Sequence, residues 1–165
     1  MIMKALTPPD LLYLESAKGW YLLGNGDEAK ADLEKIAPTF ANHPDVLEVR
    51  FAIYCLGANW PACMEIATAL LEAAPERPTS WINCATVLHG LKETRAAWHT
   101  LHNVLDRFPK AALIPYNLAV FGCALGQSGD ALKMLERALA VGGDAIKGQA
   151  LADPDLQPLL KSMAR

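Results

Sequence analysis

The chain repeats itself every 34 residues. Successive copies open at Asp10, Pro44, Pro78 and Ala112. The twentieth slot of each copy holds a small residue: Ala29, Cys63, Ala97, Ala131. The eighth holds Ala17, Phe51, Ala85, Ala119, small in three of the four copies. Large residues recur at the fourth slot (Tyr13, Leu47, Trp81, then Pro115) and the eleventh (Trp20, Tyr54, Leu88, then Gly122). A fixed period of this length predicts an array of supersecondary units, none able to bury its apolar face alone.

Within each copy the apolar spacing is helical. Ala131, Leu132, Leu135, Ala138 and Leu139 fall three and four residues apart, with Lys133, Glu136 and Arg137 off that stripe. Ala97, Trp98, Leu101, Val104 and Leu105 repeat the pattern. Tight turns divide each copy into two helices, at Gly24–Asp27, Gly57–Pro61, Gly90–Thr94 and Gly126–Asp130. Asn59 suits a cap there, and Pro61 the first helical turn. Pro75, Pro78 and Pro109 separate one copy from the next. The expectation is one all-α domain, with repeats at about 10–43, 44–77, 78–111 and 112–145. In the second copy Arg50 and Phe51 leave a one-residue shift open, with Ala52 in the small slot. An array's apolar end needs a lid. The segment 146–165 is expected to supply it, with Leu151, Leu156, Leu159 and Leu160 facing inward and Asp153-Pro154 starting a helix.

Composition narrows the function. Net charge is −3, with 15 basic and 18 acidic residues and no basic block, so the footprint of a nucleic-acid binder is missing. Apolar residues reach 52%. The longest apolar stretch, Ile114–Leu125, contains Pro115 and Asn117 and is too short to span a bilayer. The Met1–Pro9 start does not read as a secretory signal, which makes a cytoplasmic location the expectation. Cys55, Cys63, Cys84 and Cys123 form no CxxC pair and lie in helical stretches. They read as buried free thiols acting as small hydrophobes.

These residues resemble the tetratricopeptide repeat family, in its bacterial type. The likeness rests on Trp81, Ala85, Ala97 and Pro109 in the third copy. In the fourth it rests on Tyr116-Asn117-Leu118-Ala119, Gly126, Ala131, Ala138 and Leu139. The resemblance implies a right-handed α-solenoid of stacked antiparallel helix pairs closed by a C-terminal capping helix. It also implies an inner wall built from the first helix of each pair, near slots two, five, nine and twelve. Those slots hold Leu11, Leu14, Lys18 and Tyr21, then Asp45, Glu48, Ala52 and Cys55. The later copies give Thr79, Ile82, Thr86 and His89, and Leu113, Tyr116, Val120 and Cys123. Asn83 and Asn117 match an asparagine that reads ligand backbone in the family. A carboxylate clamp of the kind that holds chaperone tails needs several convergent cations. Lys18 is the only basic residue at the corresponding places, so that mode is disfavoured.

Catalytic signatures are missing. The sequence has no GxSxG, HExxH or glycine-rich phosphate loop, and Cys84 and His89 diverge around one helix. His99 and His102, with His89 and Asp106 nearby, permit a metal site without requiring one. No enzymatic activity, cofactor or metal is therefore expected. The expected function is a protein-interaction module with an apolar groove that takes a peptide or helix. Its contacts would come from Tyr21, Ile82, Asn83, Thr86, His89, Tyr116, Asn117 and Val120. Two alternatives stand beside it. Small bacterial chaperones of type III export resemble the chain in length, helical repeats and apolar groove, although they carry a long polar leader before the first repeat. A scaffold self-associating as a homodimer would also fit the oily composition. Neither a nucleic acid nor a membrane is an expected partner.

Overall fold

The computed structural model describes residues 4–163. The first three residues of the Met1–Pro9 start and the last two of the 146–165 lid lie outside them. Every regular element among the described residues is helical. The chain forms two compact units, Met1–Ser80 and Trp81–Arg165.

In the first unit, α1 (Pro8–Leu22) pairs with α2 (Gly26–Leu33), and α3 (Pro44–Leu56) pairs with α4 (Trp60–Ala73). A short 3₁₀ turn, Pro38–Phe40, links the pairs. Prolines stand in the first turn of α1, α3 and α4, where a missing N–H costs nothing. Asn59 caps α4 by accepting the Ala62 N–H at 3.4 Å, as its position in the turn predicts. Leu14, Ala17, Ala29, Leu33, Val46 and Ile53 form the centre of the core.

The second unit holds most of α5 (Pro78–Gly90), then α6 (Thr94–His102), α7 (Leu113–Ala124), α8 (Ser128–Ala152) and α9 (Gln157–Met163). Its core gathers Ala85, Leu101, Ile114, Leu118, Leu135 and Leu156. Helix α8 is broken at Gly143, whose φ of 56° and ψ of −139° suit only glycine. Beyond the break Ile146 and Ala150 turn inward and join the core with Leu156 and Leu159. Leu151 was expected inside but is 59% exposed. It follows Ala150 by one residue, about 100° round the helix, which carries it off the buried stripe. No helix among the described residues is long and apolar enough to cross a membrane.

The repeat register holds in three dimensions. Ala29, Cys63, Ala97 and Ala131, all at the twentieth slot, are 0% exposed. Ala17, Ala85 and Ala119 at the eighth are also 0% exposed, and Phe51 there is 6% exposed. In the second copy Phe51 fills the slot, and Ala52 beside it is half-buried. Large half-buried aromatics at slots four and eleven carry basic side chains over their rings. Lys35 lies over Tyr13, Lys30 over Tyr54 and Arg107 over Trp81, at 5.7, 5.3 and 5.9 Å. The fourth copy inverts this arrangement. Gly122 replaces the large residue, and a Cβ placed on it would lie 3.0 Å from the Ala131 Cβ.

The four hairpin turns share one backbone conformation. Positive φ falls at Gly24 (78°), Ala58 (49°), Lys92 (69°) and Gly126 (72°), the fifteenth slot every time. Two of these residues bear a side chain, although Gly57 and Gly90 stand close by in sequence. An L-residue in this region costs roughly 1–2 kcal/mol.

Lys92→Gly and Ala58→Gly should each raise stability by about 1 kcal/mol, less the added freedom of the unfolded chain. Ala131→Leu should lower it by roughly 1–3 kcal/mol through overpacking. Urea unfolding of the three variants checks both signs.

Two buried carboxylates brace the first unit. Asp10 accepts the Ala37 N–H at 2.7 Å and the Thr7 hydroxyl. Asp32 accepts the Lys35 ammonium at 2.6 Å and the Ser16 hydroxyl at 2.5 Å. The Ala37 amide, foremost, holds the Asp10 carboxyl below the usual carboxylate range, and the Lys35 ammonium does the same for Asp32. A carboxyl lowered in this way contributes stability that is complete above its unfolded value, about 4. That contribution is lost as pH falls through the lowered folded value. Thermal melts should therefore weaken below about pH 4, and the Asp10→Asn/Asp32→Asn variant should show a flatter acid limb. An equally steep limb in the variant would remove these two groups from the account.

Candidate functional site

The first unit carries a shallow cleft of about 290 Å³. Helix α1 supplies Lys18, Tyr21 and Leu22, and α3 supplies Glu48, Val49 and Ala52. On each helix these residues fall three or four apart, on one face. Lys18 pairs with Glu15 at 2.7 Å on the rim. Glu48 accepts the Thr79 hydroxyl at 2.7 Å and shares the Arg77 guanidinium, at 3.3 Å, with Asp45, at 2.6 Å. The two inner-slot acids of the second copy are thus largely answered from the α4–α5 connection. The Asp45 carboxylate, foremost, raises the Arg77 guanidinium further above its already high value.

Lys18, Tyr21, Glu48 and Ala52 are four of the residues at slots where the family resemblance implies an inner wall. Leu22 and Val49 line the cleft with them but lie outside those slots. Leu22, at the C-terminal end of α1, is 80% exposed, and no feature of the sequence marked it. Leu14, also an inner slot, instead enters the core.

The second unit treats its inner slots differently. Tyr116 is 3% exposed, and its hydroxyl donates to Asp153 Oδ2 at 2.5 Å. The 3₁₀ turn Pro154–Leu156 lies against α7, and Val120 is buried in the same core as Leu156 and Leu159. Burial, with the Asp153 bond second, pushes the Tyr116 phenol well above its ordinary value. Asn117 is half-buried and donates to the Leu113 carbonyl of its own helix at 2.7 Å. Thr86 likewise donates to the Ile82 carbonyl, at 2.9 Å. Ile82 packs against the core, and Asn83 is half-buried.

His89 stands at the edge of a second cleft of about 590 Å³, with Lys92, Cys123, Ser128 and Asp155 also on its walls. Its Nδ1 lies 3.0 Å from the Thr94 hydroxyl and its ring tilts over Phe121 at 4.9 Å. Burial holds the imidazole below its ordinary value, Asp155 opposing and Lys92 assisting. His102 is elsewhere, stacked on Trp98 at 4.3 Å, while His99 meets the same indole edge-on. Asp106 takes the Arg137 guanidinium at 3.1 Å. Among the described residues no group of three His, Cys, Asp or Glu side chains could hold a metal ion.

Neither a family model nor a curated protein matches the chain. Solved structures do. PilF of Pseudomonas aeruginosa is 16% identical, with a TM-score of 0.75 over 94% of this chain and 69% of that one. A chain of the APC/C hetero-tetramer Cut9–Hcn1 is 19% identical, with a TM-score of 0.71 over 93% of this chain and 29% of that one. The TPR-like repeats of a putative kinesin light chain from Podospora anserina are 18% identical, with a TM-score of 0.62 over 94% of this chain and 84% of that one. The fold is therefore the all-α helix-pair arrangement of tetratricopeptide repeats.

Tyr116→Phe should leave the fold intact but loosen the C-terminal segment by about 1.5 kcal/mol, the scale of a hydrogen bond to a charged group. Hydrogen exchange should quicken in 144–160 and not in α1–α4. Uniform quickening would mean that the bond supports the whole chain.

Proposed function

We propose that the chain is a non-enzymatic protein-interaction module whose first-unit cleft takes an apolar peptide or helix segment of a partner. One observation carries the reading: Lys18, Tyr21, Glu48 and Ala52, at slots the family resemblance turns inward, line one cleft with Leu22 and Val49. An apolar floor with charged rims suits a segment that presents alternate apolar side chains inward. The likeness to a chain of the Cut9–Hcn1 hetero-tetramer supports an assembly role. In the second unit the proposed contacts are Ile82, Asn83, Thr86 and His89. Tyr116, Asn117 and Val120 would join them only with the C-terminal segment displaced from α7.

The test is capture of partners from native extract by the wild-type chain, Ala52→Glu and Asn117→Ala. Ala52→Glu places a charge on the cleft floor and should lower retention at least tenfold, equivalent to about 1.4 kcal/mol. Asn117→Ala, which alters the second unit, should retain the partner. Equal retention by wild type and Ala52→Glu would overturn the assignment. Self-association is a second reading, favoured by the exposed Leu22, Leu23 and Leu56 of the first unit. Sedimentation over a range of concentrations separates it from the first.

A further inference from the structure

The Sγ atoms of Cys55 and Cys63 lie 3.5 Å apart, both as free thiols. They face each other across the closed end of the α3–α4 hairpin. Cys55 is half-buried and Cys63 fully buried. In repeat register they occupy slots twelve and twenty, which elsewhere hold Tyr21 and Ala29, His89 and Ala97, or Cys123 and Ala131. Only the second copy places sulfur at both. Helices approach tightly at this level, as the 3.0 Å between a Cβ on Gly122 and that of Ala131 shows for α7 and α8.

We propose that Cys55 and Cys63 are a modification site, a dithiol that closes to an intramolecular disulfide. The oxidant is a low-molecular-weight disulfide of the glutathione type. Cys55, the more accessible, gives up its proton, and its sulfur attacks one sulfur of the oxidant. The oxidant's S–S bond breaks, and its other half leaves as a thiol carrying that proton. Cys63 then gives up its own proton and attacks Cys55 Sγ. The mixed disulfide breaks and a second small thiol departs. Two protein thiols are oxidised to one disulfide, and one small disulfide is reduced to two thiols.

Contact between the sulfurs makes the second step intramolecular, so the mixed disulfide should not accumulate. The first step is slow at neutral pH. Burial, with the Cys63 contact second, pushes the Cys55 thiol up to about 12, and the thiolate is the attacking species. The rate should therefore climb with pH. The product spans the turn that holds Ala58 at positive φ, and it ties down α3 one turn beyond Ala52.

The experiment treats the full chain with oxidised glutathione at pH 8.5, then alkylates it under denaturing conditions before and after reduction. The expected result is that Cys55 and Cys63 alkylate only after reduction, while Cys84 and Cys123 alkylate at once. The mass should fall by two hydrogens, and the melting temperature should rise until reductant is added. Cys63→Ala should stop at Cys55 carrying glutathione. A wild-type chain whose Cys55 keeps its glutathione, pairs with Cys84 or Cys123, or alkylates throughout would overturn the proposal. Dibromobimane, which bridges adjacent thiols, gives a second reading on the untreated wild type. A Cys55–Cys63 bridge is expected, and separate labelling would count against the pair.

Discussion

Everything in this chain depends on how closely two helices of a pair can cross. The twentieth slot lies where the second helix meets the first, and all four of its residues are completely buried. A larger side chain there would separate the backbones and forfeit the dispersion contacts that dense packing supplies. The eighth slot is buried in the same way on the first helix. Three copies meet the constraint with alanine, and the second meets it with Phe51, leaving its smallness to Cys63. The fourth tightens the crossing further by placing Gly122 against Ala131. The repeat thus tolerates a large residue at the eighth slot while the twentieth stays small.

Apolar packing of this kind fixes pairs more firmly than it fixes the connections between them. The connections are held by a few polar contacts that reach far along the chain. Asp10 accepts from Ala37, joining the start of α1 to the chain after α2. Arg77 reaches back to Asp45 and Glu48. Tyr116 donates to Asp153 and so fastens the C-terminal segment to α7. Asp10 and Tyr116 place a charged or strongly polar group where water is scarce, so losing one partner leaves the other poorly solvated. That asymmetry makes these few contacts specific as well as stabilising.

How much of this was legible follows from which interactions are local. The helix pairs, their turns and the small slots recur at a fixed spacing, and the sequence displays that directly. Lys18, Tyr21, Glu48 and Ala52 fall at slots that the family resemblance, not the period itself, points inward, and the structure places all four along one cleft. The strained turn residue was not legible: Ala58 and Lys92 adopt positive φ although Gly57 and Gly90 precede them in the same turns. The burial of Tyr116 was not legible either. It depends on Asp153, 37 positions away in a segment that follows no repeat. Periodicity carries no information about where a non-repeating segment will lie.

That segment explains why equivalent slots in the two units differ. On α1 and α3, the ninth-slot residues Lys18 and Ala52 remain at the surface of a cleft. On α7, the ninth-slot Val120 is buried in a core shared with Leu156 and Leu159. The difference traces to composition along the inner faces. Helix α7 carries no charged residue from Leu113 to Ala124 and is mostly apolar, so leaving its face in water would be costly. The first-unit wall carries Lys18, Asp45 and Glu48, the first paired with Glu15 and the other two with Arg77, and all able to remain solvated at the rim. A wall of that kind can stay uncovered without a lid of its own. The charged residues thus do more than decorate the cleft: by keeping its rims wet, they leave the apolar floor between them uncovered.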